Sequence, residues 1–167
     1  MGDTWWLGSA QTACCNPPLL SPSAGRWPQG APVTVTISSA FSTAEREDII
    51  TAFQDWNAVS QTNGSGVTFV GFQTGNSPTS IANNQFVGYD PDLDLAGINH
   101  VSMISGPSGS YSYANMYLSD SIRNPMKAEV RRAYTRGLTR HETGHGFGLE
   151  NAGNCPSSAS IGDVHSG

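Results

Sequence analysis

Hydrophobic and polar positions alternate strictly in residues 33–37, Val-Thr-Val-Thr-Ile, so that every second side chain lies on the same face. Such alternation predicts a half-buried β-strand. The stretch from Ser42 to Glu45 has the sequence of a capping box, in which each side chain accepts a hydrogen bond from the other residue's backbone amide. Behind the box, large apolar residues recur at helical spacing and predict a helix that ends near Ser60. These residues are Ile49, Ile50, Phe53 and Trp56.

The middle of the chain predicts further strands, separated by loops that are rich in small and polar residues. The expected strands cover residues 67–72, 86–89, 98–104 and 113–118. The whole order is strand, helix, strands, helix and tail, without an internal repeat. We therefore expect a single α+β domain over residues 32–167, preceded by an extended arm over residues 1–31 that is rich in Pro, Gly and Ser.

A second long helix is predicted to open at Asn124-Pro125, with the asparagine as N-cap and the proline at the first helical position. One stripe along this helix combines apolar residues with two histidines, and Gly148 is placed to end it in a left-handed turn. The stripe consists of Val130, Tyr134, Leu138, His141 and His145. Four basic residues from Lys127 to Arg136 indicate a solvated helix face.

The composition favours a secreted protein. Only 13% of the 167 residues are charged and 37% are hydrophobic, while Ser, Thr, Asn and 19 Gly replace the missing charge. A net charge of −5, with 8 Lys and Arg, argues against nucleic-acid binding, which needs a basic surface. No apolar run approaches the roughly 20 residues of a membrane span. The first residues also lack the basic and apolar parts of a signal peptide, as expected of a mature or recombinant form.

The cysteines do not form a disulfide framework, because Cys14, Cys15 and Cys155 are too few. One bridge from Cys14 or Cys15 to Cys155 is expected in an oxidising compartment, and it would leave one thiol over. Which of the two neighbours forms the bridge stays open.

The most informative stretch is HETGHGFGLEN, which begins at His141 and ends at Asn151. On a helix, His141 and His145 project toward one point, where two neutral imidazoles can bind zinc. Glu142 is turned aside far enough to reach a water molecule on the metal rather than the metal itself. This arrangement predicts hydrolysis, with Glu142 as the general base that later protonates the leaving amine. Two histidines packed at a helix end for structural reasons are the alternative.

The same stretch resembles the metzincin motif H-E-x-x-H-x-x-G-x-x-H/D, with His141, Glu142, His145 and Gly148 in register. The order of the other elements is similar to that of small bacterial matrixin-like members of the clan. The resemblance implies a zincin-like α+β fold, in which a twisted, mainly parallel sheet with one antiparallel edge strand lies against a backing helix and an active-site helix. Residues 113–118 are expected to form that edge strand.

Family membership would imply a secreted, monomeric zinc metalloendopeptidase, with Glu142 as catalytic residue and His141 and His145 as metal ligands. Its partner would be a protein or peptide substrate, bound in an extended form along the edge strand. The alternative is a metzincin-like protein that has lost catalysis and serves as a binding or structural module. The intact His-Glu-His set favours the enzyme, because loss of catalysis usually relaxes the general base.

The chain departs from the family pattern at the third ligand, where Asn151 stands in place of His or Asp. A carboxamide oxygen is uncharged and a weaker zinc ligand, so the affinity for zinc should fall. Asp163 and His165 in the tail are alternative third ligands. The family methionine beneath the metal is also missing, and Ile161 or Gly162 is expected in its place, since all four methionines precede the site.

A weaker signal is the acidic loop that contains Asp90, Asp92 and Asp94, which resembles the start of a calcium-binding loop. It lacks the glycine at the sixth position and the acidic residue at the twelfth, where Val101 stands. A solvated acidic loop is the favoured interpretation, and a structural calcium ion, which matrixins often carry, is the alternative. His100 is interpreted as an ordinary core or surface histidine.

Overall fold

The computed structural model describes residues 26–106, 109–124 and 126–149. Within these ranges the chain forms five strands, two long helices and one short 3-10 helix. In chain order they are β1 (Pro32–Ile37), α1 (Thr43–Asn63), β2 (Thr68–Thr74), β3 (Asn84–Tyr89), β4 (Gly97–Gly106), β5 (Gly109–Leu118), the 3-10 helix (Asp120–Arg123) and α2 (Ala128–His145). Each expected strand and helix is present. Neither long helix in the described ranges has the length and apolar character needed to cross a membrane.

The strands form one sheet in the order β2-β1-β3-β5-β4. β1 runs parallel to β2 and β3, and β3 runs parallel to β5, while β4 pairs antiparallel with β5. The architecture is therefore α+β, with a mainly parallel sheet, one antiparallel pair and two long helices, as predicted.

The expectation that residues 113–118 form the edge strand is wrong, because β5 lies between β3 and β4. Burial gives the physical reason. Ala114, Met116 and Leu118 of β5 have no exposed surface, whereas Met103 of β4 is 57% exposed. The inward side chains of β5 are thus fully buried inside the sheet, whereas β4 lies at its rim and leaves Met103 in solvent.

The start of α1 confirms the predicted capping box. The Ser42 amide donates to Glu45 Oε2 at 2.7 Å, and the Glu45 amide donates to Ser42 Oγ at 3.3 Å. Arg123 of the 3-10 helix also donates to Glu45, with 2.9 Å between Nε and Oε1. The helix continues three residues beyond the expected end, to Asn63, where Gly64 at φ 80° ends it in a left-handed conformation.

The predicted start of α2 is wrong, because the helix begins at Ala128 with Lys127 as its N-cap. Asn124 instead ends the preceding 3-10 helix and has an extended backbone with ψ 146°. That conformation is the one that a following proline imposes on its predecessor. The first turns of α2 lie in solvent, and Val130, the first member of the predicted stripe, is 54% exposed.

The core lies between the sheet and the two helices. β1 contributes three fully buried residues, and α1 contributes its predicted apolar stripe except Ile50, which is half-buried. The central buried side chains are Val33, Val35, Ile37, Ile49, Phe53, Trp56, Met116 and Leu138. Because both helices pack on the sheet and on each other, the position of α2 depends on α1.

Arginines of α2 hold the two helices together. Asp48 of α1 is 2% exposed and accepts hydrogen bonds from Nε of Arg132, at 3.1 Å, and of Arg136, at 2.9 Å. One helical turn later, Arg140 donates to Asp55, with 2.8 Å between Nε and Oδ2. The basic run is therefore only partly a solvated face, since two of its four members pair with a buried carboxylate.

A side chain of α1 blocks the outer edge of the sheet at one residue of β2. The side-chain amide of Asn57 on α1 donates to the carbonyl of Phe69 at 2.9 Å and accepts from its backbone amide at 2.6 Å. A β-bulge follows, because Gly71 and Phe72 together oppose Val35 of β1. Gly71 has φ 63°, a left-handed value that glycine adopts without strain.

Candidate metal centre

The C-terminal end of α2 carries His141, Glu142 and His145, and their side chains are buried or half-buried in the protein. His141 is 6% exposed, Glu142 is 1% exposed and His145 is half-buried. The two imidazole centroids are 5.0 Å apart, and the ring planes are almost perpendicular at 88°. The structure thus brings together the three residues that the motif singled out.

The orientation of His145 is fixed by a backbone carbonyl. Its Nδ1 lies 2.7 Å from the oxygen of Leu149. Since a carbonyl oxygen only accepts, Nδ1 donates this hydrogen bond, and Nε2 is the ring nitrogen that can serve as a metal ligand. A hydrogen bond on the far ring nitrogen is the usual way in which proteins orient a histidine ligand.

Glu142 is packed against the start of the edge strand β4. A Cβ atom added at Gly97 would lie 3.1 Å from Cγ and from Oε1 of Glu142, and 3.2 Å from Cδ1 of Leu138. Any larger residue at position 97 would therefore press on the carboxylate. The backbone of Glu142 also meets β4, because its carbonyl accepts a hydrogen bond from Nδ2 of Asn99 at 2.8 Å.

A compact turn follows the helix. Gly148 has φ 78°, which confirms the predicted left-handed turn, although the helix itself ends at His145. Phe147 stacks on Trp56, with ring centroids 4.6 Å apart. The Trp27 amide donates to the carbonyl of Gly146 at 3.0 Å, so residues just before β1 help to hold this turn.

The buried face of α2 carries three threonines whose hydroxyl groups are satisfied within the helix itself. Thr135, Thr139 and Thr143 are buried, and each hydroxyl donates to the carbonyl four residues earlier. The hydroxyls are thereby satisfied within the helix. Sequence analysis missed these residues, because a polar residue on a helix is ordinarily assigned to its solvated side.

Sequence analysis also missed four supporting residues: Trp56 as a hydrogen-bond donor, Gln85, Gly97 and Asn99. Trp56 was predicted as an apolar core residue, yet its indole N–H donates to the Arg140 carbonyl at 3.0 Å, directly before the first histidine. No local signal marks Gln85, Gly97 or Asn99, because their role arises only when β3, β4 and α2 pack together.

Several predicted residues lie outside the described ranges. They are Asn151, Asp163 and His165 as third-ligand candidates, Ile161 and Gly162 as methionine replacements, and Cys14, Cys15 and Cys155 as disulfide candidates. In residues 26–106, 109–124 and 126–149, no group of three His, Cys, Asp or Glu side chains is arranged to hold a metal ion.

The acidic loop and the isolated histidine are largely in contact with solvent. Asp92 and Asp94 are exposed, and the Asp92 amide donates to Oδ1 of the half-buried Asp90 at 3.0 Å. His100 is exposed on the edge strand β4. These positions agree with the interpretation as a solvated loop and a surface histidine.

Comparison of the chain with models of known protein families, with curated proteins and with solved structures gave no match in any of the three cases.

Proposed function

We propose that the protein is a secreted zinc-dependent endopeptidase of the metzincin type. The observation that carries the proposal is the end of α2, where His141 and His145 face one another across 5.0 Å beside the buried Glu142. The hydrogen bond from His145 to Leu149 supports it further, because it presents Nε2 as a ligand. Histidines packed only for structural reasons do not require a glutamate buried between them.

The sheet supports the family assignment. The resemblance implied a mainly parallel sheet with one antiparallel edge strand, a backing helix and an active-site helix, and the order β2-β1-β3-β5-β4 agrees with that arrangement. In this proposal the edge strand β4 takes the place first given to residues 113–118. An extended peptide would bind along β4, next to the end of α2 that carries Glu142.

The donor set fits a zinc ion, since two neutral imidazoles and a weaker oxygen ligand are acceptable to this metal. His141 and His145 would hold the ion, with Asn151 as the third ligand and Asp163 or His165 as alternatives. When bound, zinc supplies Lewis-acid activation of a water molecule and of the peptide carbonyl.

Glu142 performs the proton transfers. As general base it takes the proton from the attacking water, and as general acid it gives the proton to the departing amine nitrogen. Its burial against Gly97 holds the carboxylate in one place and keeps bulk solvent away from it. General acid–base catalysis of this kind contributes about 10²–10⁴-fold to the rate.

The test compares zinc content and casein cleavage for the wild type, Glu142→Gln and Glu129→Gln. Glu129 is exposed in the first turn of the same helix and serves as the matched control. We expect one zinc per chain in all three proteins and cleavage that is about 10²–10⁴-fold slower in Glu142→Gln alone. Removal of zinc with a chelator should abolish cleavage, and its return should restore it.

Zinc binding without cleavage by the wild type would refute the enzyme and leave the binding or structural module as the function. Asn151→Asp tests the third ligand by itself. If Asn151 binds the metal, a charged carboxylate in its place should bind zinc more tightly. Unchanged affinity would move the third ligand to Asp163 or His165.

A further inference from the structure

The end of α2 is joined to the edge strand through the backbone carbonyl of Glu142. The Gly146 amide, four residues after Glu142, donates to the Thr143 carbonyl at 2.9 Å, because the last turn tightens. The following amides of Phe147 and Gly148 donate to Gly144 and His145. The carbonyl of Glu142, one of the last four in the helix, also accepts a hydrogen bond from a donor in another part of the chain.

Asn99 supplies that donor. It lies on β4, is 8% exposed, and its Nδ2 is 2.8 Å from the Glu142 oxygen. Gln85, which is fully buried on β3, donates from Nε2 to Oδ1 of Asn99 at 3.3 Å and to the carbonyl of Phe86 at 2.9 Å. Since Gln85 donates to the oxygen of the Asn99 amide, the nitrogen of that amide is directed toward Glu142.

β4 consequently meets Glu142 at two points. Gly97 and Asn99 alternate along the strand and lie on the same face. Gly97 packs against the Glu142 side chain, and Asn99 binds the Glu142 backbone. A shift of β4 by one residue would break both contacts, so the register of the edge strand is tied to the position of the proposed general base.

We propose that Asn99, oriented by Gln85, is a positioning residue for the last turn of α2 and hence for Glu142, His141 and His145. Its effect on metal affinity rests on the proposed function, whereas its effect on the helix end does not. Loss of the Asn99 donor would remove a buried hydrogen bond between β4 and the last turn, so the turn should open more readily. Outer partners of this kind commonly change metal affinity by 10–100-fold.

The chain offers a matched control in Asn115 on β5. This asparagine is half-buried and exchanges two hydrogen bonds with the Thr79 backbone, at 2.8 and 3.0 Å. Alternation along β5 directs its side chain to the opposite face of the sheet from α2. Asn115→Ala therefore removes a similar side chain with similar bonds from the same sheet, without touching the helix end.

The first measurement is zinc affinity by competition with a chromophoric chelator. We expect Asn99→Ala to weaken zinc binding by about tenfold or more and Asn115→Ala to leave it unchanged. Gln85→Met should weaken binding in the wild-type background and have no further effect in Asn99→Ala, because Gln85 acts through Asn99. The proposal would be overturned if the wild type and Asn99→Ala bound zinc equally well. It would also be overturned if Gln85→Met weakened zinc binding as much in Asn99→Ala as in the wild type.

The second measurement needs no metal. Amide hydrogen exchange at residues 143–146 should become about tenfold faster in Asn99→Ala than in Asn115→Ala, relative to the global unfolding of each variant. Equal exchange would overturn the positioning role. If the wild type binds no zinc, the proposed function fails, and this exchange measurement still decides the role of Asn99. Should Asn99→Ala not fold, Asn99→Asp keeps the side-chain shape while it removes the donor.

Discussion

The ion pairs between α1 and α2 have partners of unequal burial, so removing the carboxylate and removing the arginines should change stability by different amounts. Asp48 is the buried partner, with its side chain 3% exposed, whereas the side chains of Arg132 and Arg136 are 49% and 34% exposed. Removing the carboxylate frees two arginines that can turn into water. Removing both arginines leaves a carboxylate enclosed by protein, with no counter-charge from α2. The second change should therefore cost more, although the first also loses the charge-assisted bonds to both arginines.

The structure allows rough magnitudes. Arg132→Met together with Arg136→Met leaves a buried charge without its partners, which typically costs about 3–5 kcal/mol. Asp48→Asn loses charge-assisted bonds to partners that solvent already screens, so we expect about 1–2 kcal/mol. In the Asp48→Asn background, the two methionine substitutions should add less than about 1 kcal/mol, because no buried charge is left to expose.

The assay is urea unfolding followed by circular dichroism. Free energies of unfolding are compared between variants whose m-values are equal, because a changed m-value indicates a change in the unfolded state. Met keeps most of the apolar stem of arginine, so the comparison isolates the charge. The reasoning would be refuted if the double methionine variant were no less stable than Asp48→Asn, or if the methionine substitutions cost the same in both backgrounds.

Two further predictions concern Glu45 and Gly97. Burial alone would raise the pKa of the Glu45 carboxyl, but hydrogen bonds from Arg123 and Ser42 outweigh it and lower the pKa below 4.5. The stabilisation from Glu45 is thus present above pH 4.5 and lost as the pH falls below it. The free energies of unfolding of the wild type and Glu45→Gln should therefore converge in acid. A difference that stays constant with pH would contradict this. Gly97→Ala should lower stability by about 1–3 kcal/mol and slow cleavage, since the new Cβ presses on Glu142; unchanged unfolding and turnover would contradict this.

Local physics explains what could be predicted from the sequence. β1 alternates over a few residues, and the capping box of Ser42 and Glu45 satisfies its own donors, so neither depends on distant parts of the chain. The pair His141 and His145 is equally local, because helical spacing alone brings the two rings together. These features are therefore present as expected.

The rest depends on packing between elements. Which strand lies at the edge follows from the order of the whole sheet, so the alternation in β5 did not reveal that β4 lies outside it. Asn99 and Gln85 are polar residues in strands and would ordinarily be assigned to the solvated face. The end of α2 supplies the acceptor for Asn99, and Asn99 in turn accepts from Gln85, so the contacts between these residues and α2 are not encoded near either residue in the sequence.

The amide of Asn57 has a consequence for association between copies of the chain. An uncovered outer strand can add a strand from a neighbour and so begin a dimer or a fibril. At β2 an incoming strand would first have to break both bonds between Asn57 and Phe69 and then follow a backbone twisted by the bulge at Gly71. Within the described part of the chain this rim of the sheet therefore resists strand pairing, so we expect self-association of this kind at the rim formed by β4, where the peptide of the proposed function would compete with it.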